Sequence, residues 1–73
     1  MDPLPMQCAA RYREIQRRAG YLIEMYVNGN KKDTLQNLED MPAKEAFAVL
    51  ARMMEIAMPE TQRSLSSFLA ESA

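Results

Sequence analysis

The sequence predicts an all-α fold, a compact bundle of three to four helices. In the first third of the chain, apolar residues recur at alternating steps of four and three, which is the spacing of one face of a helix. No stretch alternates apolar and polar residues with a period of two, as a half-buried strand does. Glycine and proline residues then divide the rest of the chain into segments of helical length.

The first predicted helix begins near Pro5 or Met6 and ends at about Val27. Residues 1–5 precede it as a short extended arm, because proline disfavours the helical conformation in the residue before it. Six apolar residues follow the helical spacing and are expected to face the core: Cys8, Tyr12, Ile15, Ala19, Leu22 and Tyr26.

A stop signal and a start signal follow each other closely after this helix. Gly29 suits the left-handed conformation that ends many helices. The positive charges of the lysine pair at 31–32 would then lie near the negative end of the helix dipole, where they are favourable. Asp33 and Gln36 have the spacing of a variant capping box, with Asp33 as the N-cap. The second helix is therefore expected to be short and to end before Pro42.

The dipeptide Met-Pro occurs at 41–42 and again at 58–59, and each copy is expected to end one helix and open the next. The third helix would then cover 42–57. Its expected inward face consists of Ala43, Ala46, Phe47, Leu50, Met53, Met54 and Ala57. Val49 and Ile56 fall outside that face, so this helix is apolar over more than half of its circumference and is expected to be central. The fourth helix presents the apolar side chains Leu65, Phe68 and Leu69.

A chain of 73 residues sets a limit of one domain, 1–73. It contains one cysteine and no histidine, so it lacks an internal disulfide, the usual zinc ligands and a Cys–His nucleophile. Its two glycines do not form a phosphate-binding loop. These observations predict a protein that is not an enzyme and that holds no metal or cofactor.

The expected location is the cytoplasm. The first eight residues, MDPLPMQC, have neither the basic nor the apolar region of a signal peptide. No apolar run approaches the roughly 20 residues that span a bilayer. A single cysteine also fits a reducing compartment.

The charges are distributed unevenly along the chain. Residues 6–32 carry six basic and two acidic side chains, a net +4, whereas residues 33–73 carry three basic and seven acidic ones, a net −4. The two halves can attract each other within the fold, or lie on solvated faces, or present charge to a partner.

One face of the first helix suggests a protein partner. A second stripe, with steps of three and four, consists of Arg11, Glu14, Arg18, Tyr21 and Met25. Arginine, tyrosine and methionine are enriched in protein interfaces. The predicted protein-binding residues are Leu4, Met6, Arg11, Arg18, Tyr21 and Met25. For Tyr21 and Met25 a place in the core is an equal alternative, and Arg18→Glu is expected to weaken binding of the partner without unfolding the domain.

Two other functions remain open. Surplus apolar surface on the third helix (Val49, Met53 and Ile56) would suit a structural homo-oligomer. Direct binding of nucleic acid is less favoured, because it needs a continuous positive strip and Glu14 and Glu24 interrupt the arginines of the first helix.

The segments MDPLPMQCAARYREIQRRAGYLIEMY and NGNKKDTLQNLEDMPAKEAF give the whole chain a resemblance to a known group of proteins. It resembles the small regulators, encoded by lytic phages such as those of Xanthomonas, that bind the RNA polymerase of the bacterial host. The resemblance implies bacterial RNA polymerase as the partner, the host cytoplasm as the location, and inhibition of initiation or termination by occlusion. It assigns no role to any single residue.

Overall fold

The residues that the structure describes form four α-helices and no strand. The structure is a computed structural model that describes the backbone of residues 5–72 and the side chains of residues 11–72. The helices are α1 (Pro5–Val27), α2 (Lys31–Glu39), α3 (Ala43–Ile56) and α4 (Pro59–Ser72). The predicted all-α bundle is therefore confirmed. In the described part of the chain, no helix combines the length and the apolar character needed to cross a membrane.

Gly29 ends α1 in the left-handed conformation that the sequence predicts, with a φ angle of 100°. The Gly29 amide donates to the Tyr26 carbonyl at 3.0 Å, and the Asn30 amide donates to the Met25 carbonyl at 3.0 Å. This pair of bonds is the Schellman motif, which satisfies carbonyl groups that the end of a helix leaves free. The turn is so tight that the next helix begins at Lys31.

The predicted capping box of α2 is wrong. Asp33 lies inside the first turn, and the N-cap is Asn30, three residues earlier. The Asn30 carbonyl accepts both the amide of Thr34, at 3.0 Å, and its hydroxyl, at 2.9 Å, so the buried Thr34 side chain is satisfied. Gln36 turns toward the other end of the helix and donates to the Asp40 carboxylate at 3.0 Å. The helix starts early because the end of α1 already places Asn30 where an N-cap must lie.

Both Met-Pro dipeptides separate helices, as predicted. Pro42, the predicted first residue of α3, is its N-cap, so this helix begins one position later than predicted, and Pro59 is the first residue of α4. Across the second junction, the Gln62 side chain donates to the carbonyl of Met54 at 2.6 Å and to that of Ala57 at 3.1 Å. These bonds satisfy carbonyl groups at the end of α3 and fix the direction in which α4 leaves it.

The core lies between α1 and α3 and is closed by α2 and α4. Its buried apolar cluster consists of Ala19, Leu22, Tyr26, Leu38, Val49, Met53 and Leu65. The Tyr26 hydroxyl is 2.6 Å from the Ser64 hydroxyl oxygen, and the ring packs 5.7 Å from that of Phe68. The predicted stripe of α1 therefore faces the core in the second half of the helix.

The first half of that stripe behaves differently. Tyr12 is 52% exposed, and its ring lies beneath the guanidinium of Arg52, 5.6 Å from the ring centroid to Cζ. Tyr12 is therefore a boundary residue and not a core residue. The side chain of Cys8 lies outside the described residues.

The predicted inward face of α3 is rotated from the observed one. Val49 and Met53 are both fully buried, with 0% of their surface exposed, whereas Phe47 is 74% exposed. The reason is that α1 packs along the Val49 side of α3, so the buried arc centres on Met53. Val49 and Met53 are consequently not available for the contact between copies that the sequence suggested, and of that set only Ile56 is exposed.

Candidate protein-binding surface

The second stripe of α1 lies beside the first half of α3. Helices α1 and α3 run antiparallel, since Tyr12 contacts Arg52 near one end and Arg18 contacts Glu45 nearer the other. The Arg18 guanidinium donates from Nη1 to Glu45 Oε2, which joins the two helices by an ion pair.

Glu14 holds two arginines of α1 in place. Arg17 Nη2 donates to both carboxylate oxygens of Glu14, at 2.8 and 2.9 Å, and Arg18 Nε donates to Glu14 Oε2 at 3.0 Å. The hydrogen bonds from Arg17 and then from Arg18 lower the pKa of Glu14 below its ordinary value. The hydrogen bond to Glu14, followed by the charge of Glu45, raises the pKa of Arg18. Arg18 is therefore a fixed cation with a carboxylate on either side.

Two hollows flank this network. The larger is a cleft of about 600 Å³ between α1 and α3, lined by Arg11, Glu14, Ile15, Arg18, Lys44, Glu45 and Ala48. The smaller, of about 230 Å³, is lined by Glu14, Arg17, Arg18, Tyr21, Leu22, Asn37 and Met41. Because Glu14 and Arg18 line both hollows, they form the ridge between them.

The structure brings three of the predicted binding residues together. Arg11 is exposed and lines the cleft, Arg18 forms the ridge, and Tyr21 is 61% exposed beside the second hollow. Met25 is half-buried and packs against the core cluster, so of its two alternatives the core is the one observed.

The two remaining residues lie at the N-terminal end of the chain. Leu4 lies outside the described residues. Met6 lies within α1, and its side chain is outside the described set.

The part of this surface that comes from α3 was not predicted from the sequence. Lys44 and Glu45 lie in the first turn of that helix and Ala48 one turn later, so they share an edge of it. That spacing is visible in the sequence. What the sequence does not contain is the register between α1 and α3, which alone places Glu45 opposite Arg18.

Arg18 is a structural residue as well as a candidate contact. Arg18→Glu would put a third carboxylate beside those of Glu14 and Glu45 and would remove the ion pair between α1 and α3. A loss of partner binding in that variant could therefore come from the lost contact or from the lost ion pair between α1 and α3. Arg11 and Tyr21 are better probes, because neither makes a side-chain hydrogen bond or ion pair with another described residue.

The geometry gives little support to phosphate or metal binding. Arg17 and Arg18 are both engaged by Glu14, so the arginines of α1 do not form a free positive strip. Among the side chains of residues 11–72, no three that could ligate a metal lie together. What the arrangement offers is an exposed aromatic ring, fixed charges and a cleft with apolar side chains in its lining.

Comparison of the chain with protein-family models, with curated proteins and with solved structures finds no significant match.

Proposed function

We propose that this protein is a non-enzymatic regulator that binds a larger protein through the surface formed by α1 and the start of α3. The candidate partner is bacterial RNA polymerase, which is the partner that the resemblance of the whole chain implies. Binding would inhibit transcription initiation or termination by occlusion, and the protein itself would carry out no chemical step.

The observation that carries the proposal is the exposed Tyr21 beside a pre-organised ion-pair network. Tyrosine and arginine are the residue types that most often dominate binding energy at protein interfaces. Arg18 is held by Glu14 and Glu45 before any partner arrives, so its side chain loses little conformational freedom on binding.

The lining of the cleft favours an acidic segment of the partner. It contains three basic residues, Arg11, Arg18 and Lys44, and two acidic ones that both pair with Arg18. Arg11 and Lys44 form no ion pair with another described side chain, so the accessible charge of the cleft is positive. The apolar side chains of its lining, Ile15 and Ala48, suit an aliphatic side chain next to the acidic group.

Binding of purified bacterial RNA polymerase to the immobilised protein tests this proposal, with Arg11→Glu and Tyr21→Ala as the variants. We expect each to weaken binding by at least tenfold, an effect of about 1.4 kcal/mol or more. Arg13→Glu is the matched control, because it makes the same charge change at another exposed position of α1 that does not line the cleft. It is expected to bind like the wild type.

Two results would contradict different parts of the proposal. Equal losses for Arg11→Glu and Arg13→Glu would mean that general charge, and not this surface, governs binding. If RNA polymerase does not bind, but nuclease-treated bacterial lysate yields another protein that Arg11→Glu no longer retains, the surface stands and the proposed partner is wrong.

A further inference from the structure

Phe47 is the most exposed large apolar side chain among the described residues, with 74% of its surface accessible. It borders a groove of about 340 Å³ between α2, α3 and α4, on a different side of α3 from the cleft. The groove is lined by Leu35, Leu38, Glu39, Ala43, Ala46, Phe47, Leu50 and Leu69. All of these except Glu39 are apolar, so water in the groove has almost no polar side chain to bind.

We propose that this Phe47 face binds a second copy of the same chain in a two-fold symmetric dimer. A two-fold interface places one patch against itself, so that patch must be self-complementary, as a patch with both a protrusion and a recess is. The Phe47 face has both, since an exposed ring stands at the border of an apolar groove. Each ring would enter the groove of the other copy.

The charges of the face are also complementary to themselves. Glu39 lines the groove on the α2 side. Lys44 lies one turn before Phe47 and, given 100° per residue on α3, on the side of Phe47 that is away from the groove. A two-fold axis parallel to α3 brings the left side of one patch against the right side of the other. Glu39 of each copy then meets Lys44 of its partner. An axis perpendicular to α3 would place like charges together, so the charges select the parallel arrangement.

The size of the protein makes such a dimer reasonable. A stable interface buries roughly 800 Å² per partner, about a seventh of the 5480 Å² accessible surface of this chain. A domain of 73 residues has a small core, and oligomerisation is one of the usual means of stabilising a fold of this size. The Phe47 groove shares no lining residue with the cleft between α1 and α3, although Lys44, which lines that cleft, also takes part in the proposed contact between copies.

Sedimentation equilibrium of the full chain over a wide range of concentrations tests the dimer. We expect the wild type to dimerise and Phe47→Glu to raise the dissociation constant at least 100-fold. Met58→Glu is the matched control: Met58 is 71% exposed, it lies outside the groove, and the variant acquires the same side chain. It should change the dissociation constant by less than about threefold. Circular dichroism of each variant checks that the monomer remains folded.

The charge pair tests the arrangement. Glu39→Lys and Lys44→Glu should each weaken the dimer about tenfold, and the double variant should restore it. An equimolar mixture of the two single variants should form a heterodimer, because both of its cross-pairs unite opposite charges. A wild type that stays monomeric at every concentration would overturn the proposal and leave the Phe47 face to a different protein. A dimer that survives Phe47→Glu would also overturn it, and a mixture that forms no heterodimer would overturn the parallel arrangement.

Discussion

At the scale of single residues, the ion-pair network has a structural role and, in the proposed function, a role in binding. Arg18 joins α1 to α3 through Glu45, while Glu14 orients Arg18 from within α1. Exposed ion pairs usually add little to stability, since water and salt screen them. In the proposed function, the value of this network is that it holds the Arg18 cation in a fixed position at the surface, near the exposed Tyr21 ring.

The lowered pKa of Glu14 leads to a pH-dependent prediction. A carboxyl group whose pKa is lower in the folded than in the unfolded chain stabilises the fold fully above its ordinary pKa of 4.5, and this contribution is lost as the pH falls through the folded value. Glu14→Gln should therefore lower the free energy of unfolding at about pH 7. Toward about pH 2.5 the difference from the wild type should shrink, because the protonated glutamate then resembles glutamine. Urea denaturation at both pH values measures it.

Glu24→Gln is the control for this experiment. Glu24 is exposed on the same helix and forms no ion pair with another described residue, so the variant makes the same change of net charge without breaking the network. We expect its stability to follow that of the wild type at both pH values. A deficit of Glu14→Gln that is equally large in acid would show that the lost interaction does not depend on the carboxylate.

At the scale of the helices, the two glycines have opposite roles. Gly29 adopts a φ of 100° and closes α1, a conformation that costs a residue with a Cβ atom about 1–2 kcal/mol. Gly20 lies inside the same helix, and a Cβ atom added there would meet no heavy atom within 4 Å. Its backbone is merely less restricted than alanine would be, at a cost of about 1 kcal/mol to the helix.

Substitution of each glycine by alanine should shift stability in opposite directions. Gly29→Ala should lower the free energy of unfolding by about 1 kcal/mol, because the left-handed turn becomes strained. Gly20→Ala should raise it by about 0.5–1 kcal/mol, because alanine favours the helix and has room for its methyl group. Thermal and urea denaturation of both variants measure these shifts. If Gly20→Ala destabilises the protein, another helix or partner approaches α1 closely at that point.

The signals that end α1 and separate the later helices are local in the sequence. The end of α1 at Gly29 and the two breaks at Met-Pro were predictable, because the backbone of glycine and proline decides them within a few residues. The start of α2 was not, because the N-cap Asn30 is positioned by the preceding turn. The Asp33 capping pattern is therefore a real sequence signal that a stronger neighbouring one overrides.

At the scale of the whole molecule, the packing of α1 against α3 determines what the sequence could not. The period of α1 correctly placed Arg11, Arg18 and Tyr21 on one side of the helix, because that face depends on α1 alone. The residues that complete the surface come from α3, and their positions depend on the register between two helices. The same packing decides which part of the apolar circumference of α3 is buried, with Val49 inside and Phe47 outside.

Substitutions on these two sides of α3 should separate the buried arc from the exposed one. Val49→Ala removes two methyl groups from a fully buried site and should lower the free energy of unfolding by about 2 kcal/mol. Phe47→Ala at low protein concentration, where the chain is monomeric, should change it by less than about 0.5 kcal/mol, because the ring contributes little to the core of its own chain. At high concentration the proposed dimer adds stability by mass action, so Phe47→Ala should then have a lower free energy of unfolding than the wild type. Val49→Ala should show the same deficit relative to the wild type at both concentrations. Urea denaturation at two widely separated concentrations measures all three proteins. A large loss for Phe47→Ala at low concentration would mean that the inward face of α3 is the one centred on Phe47.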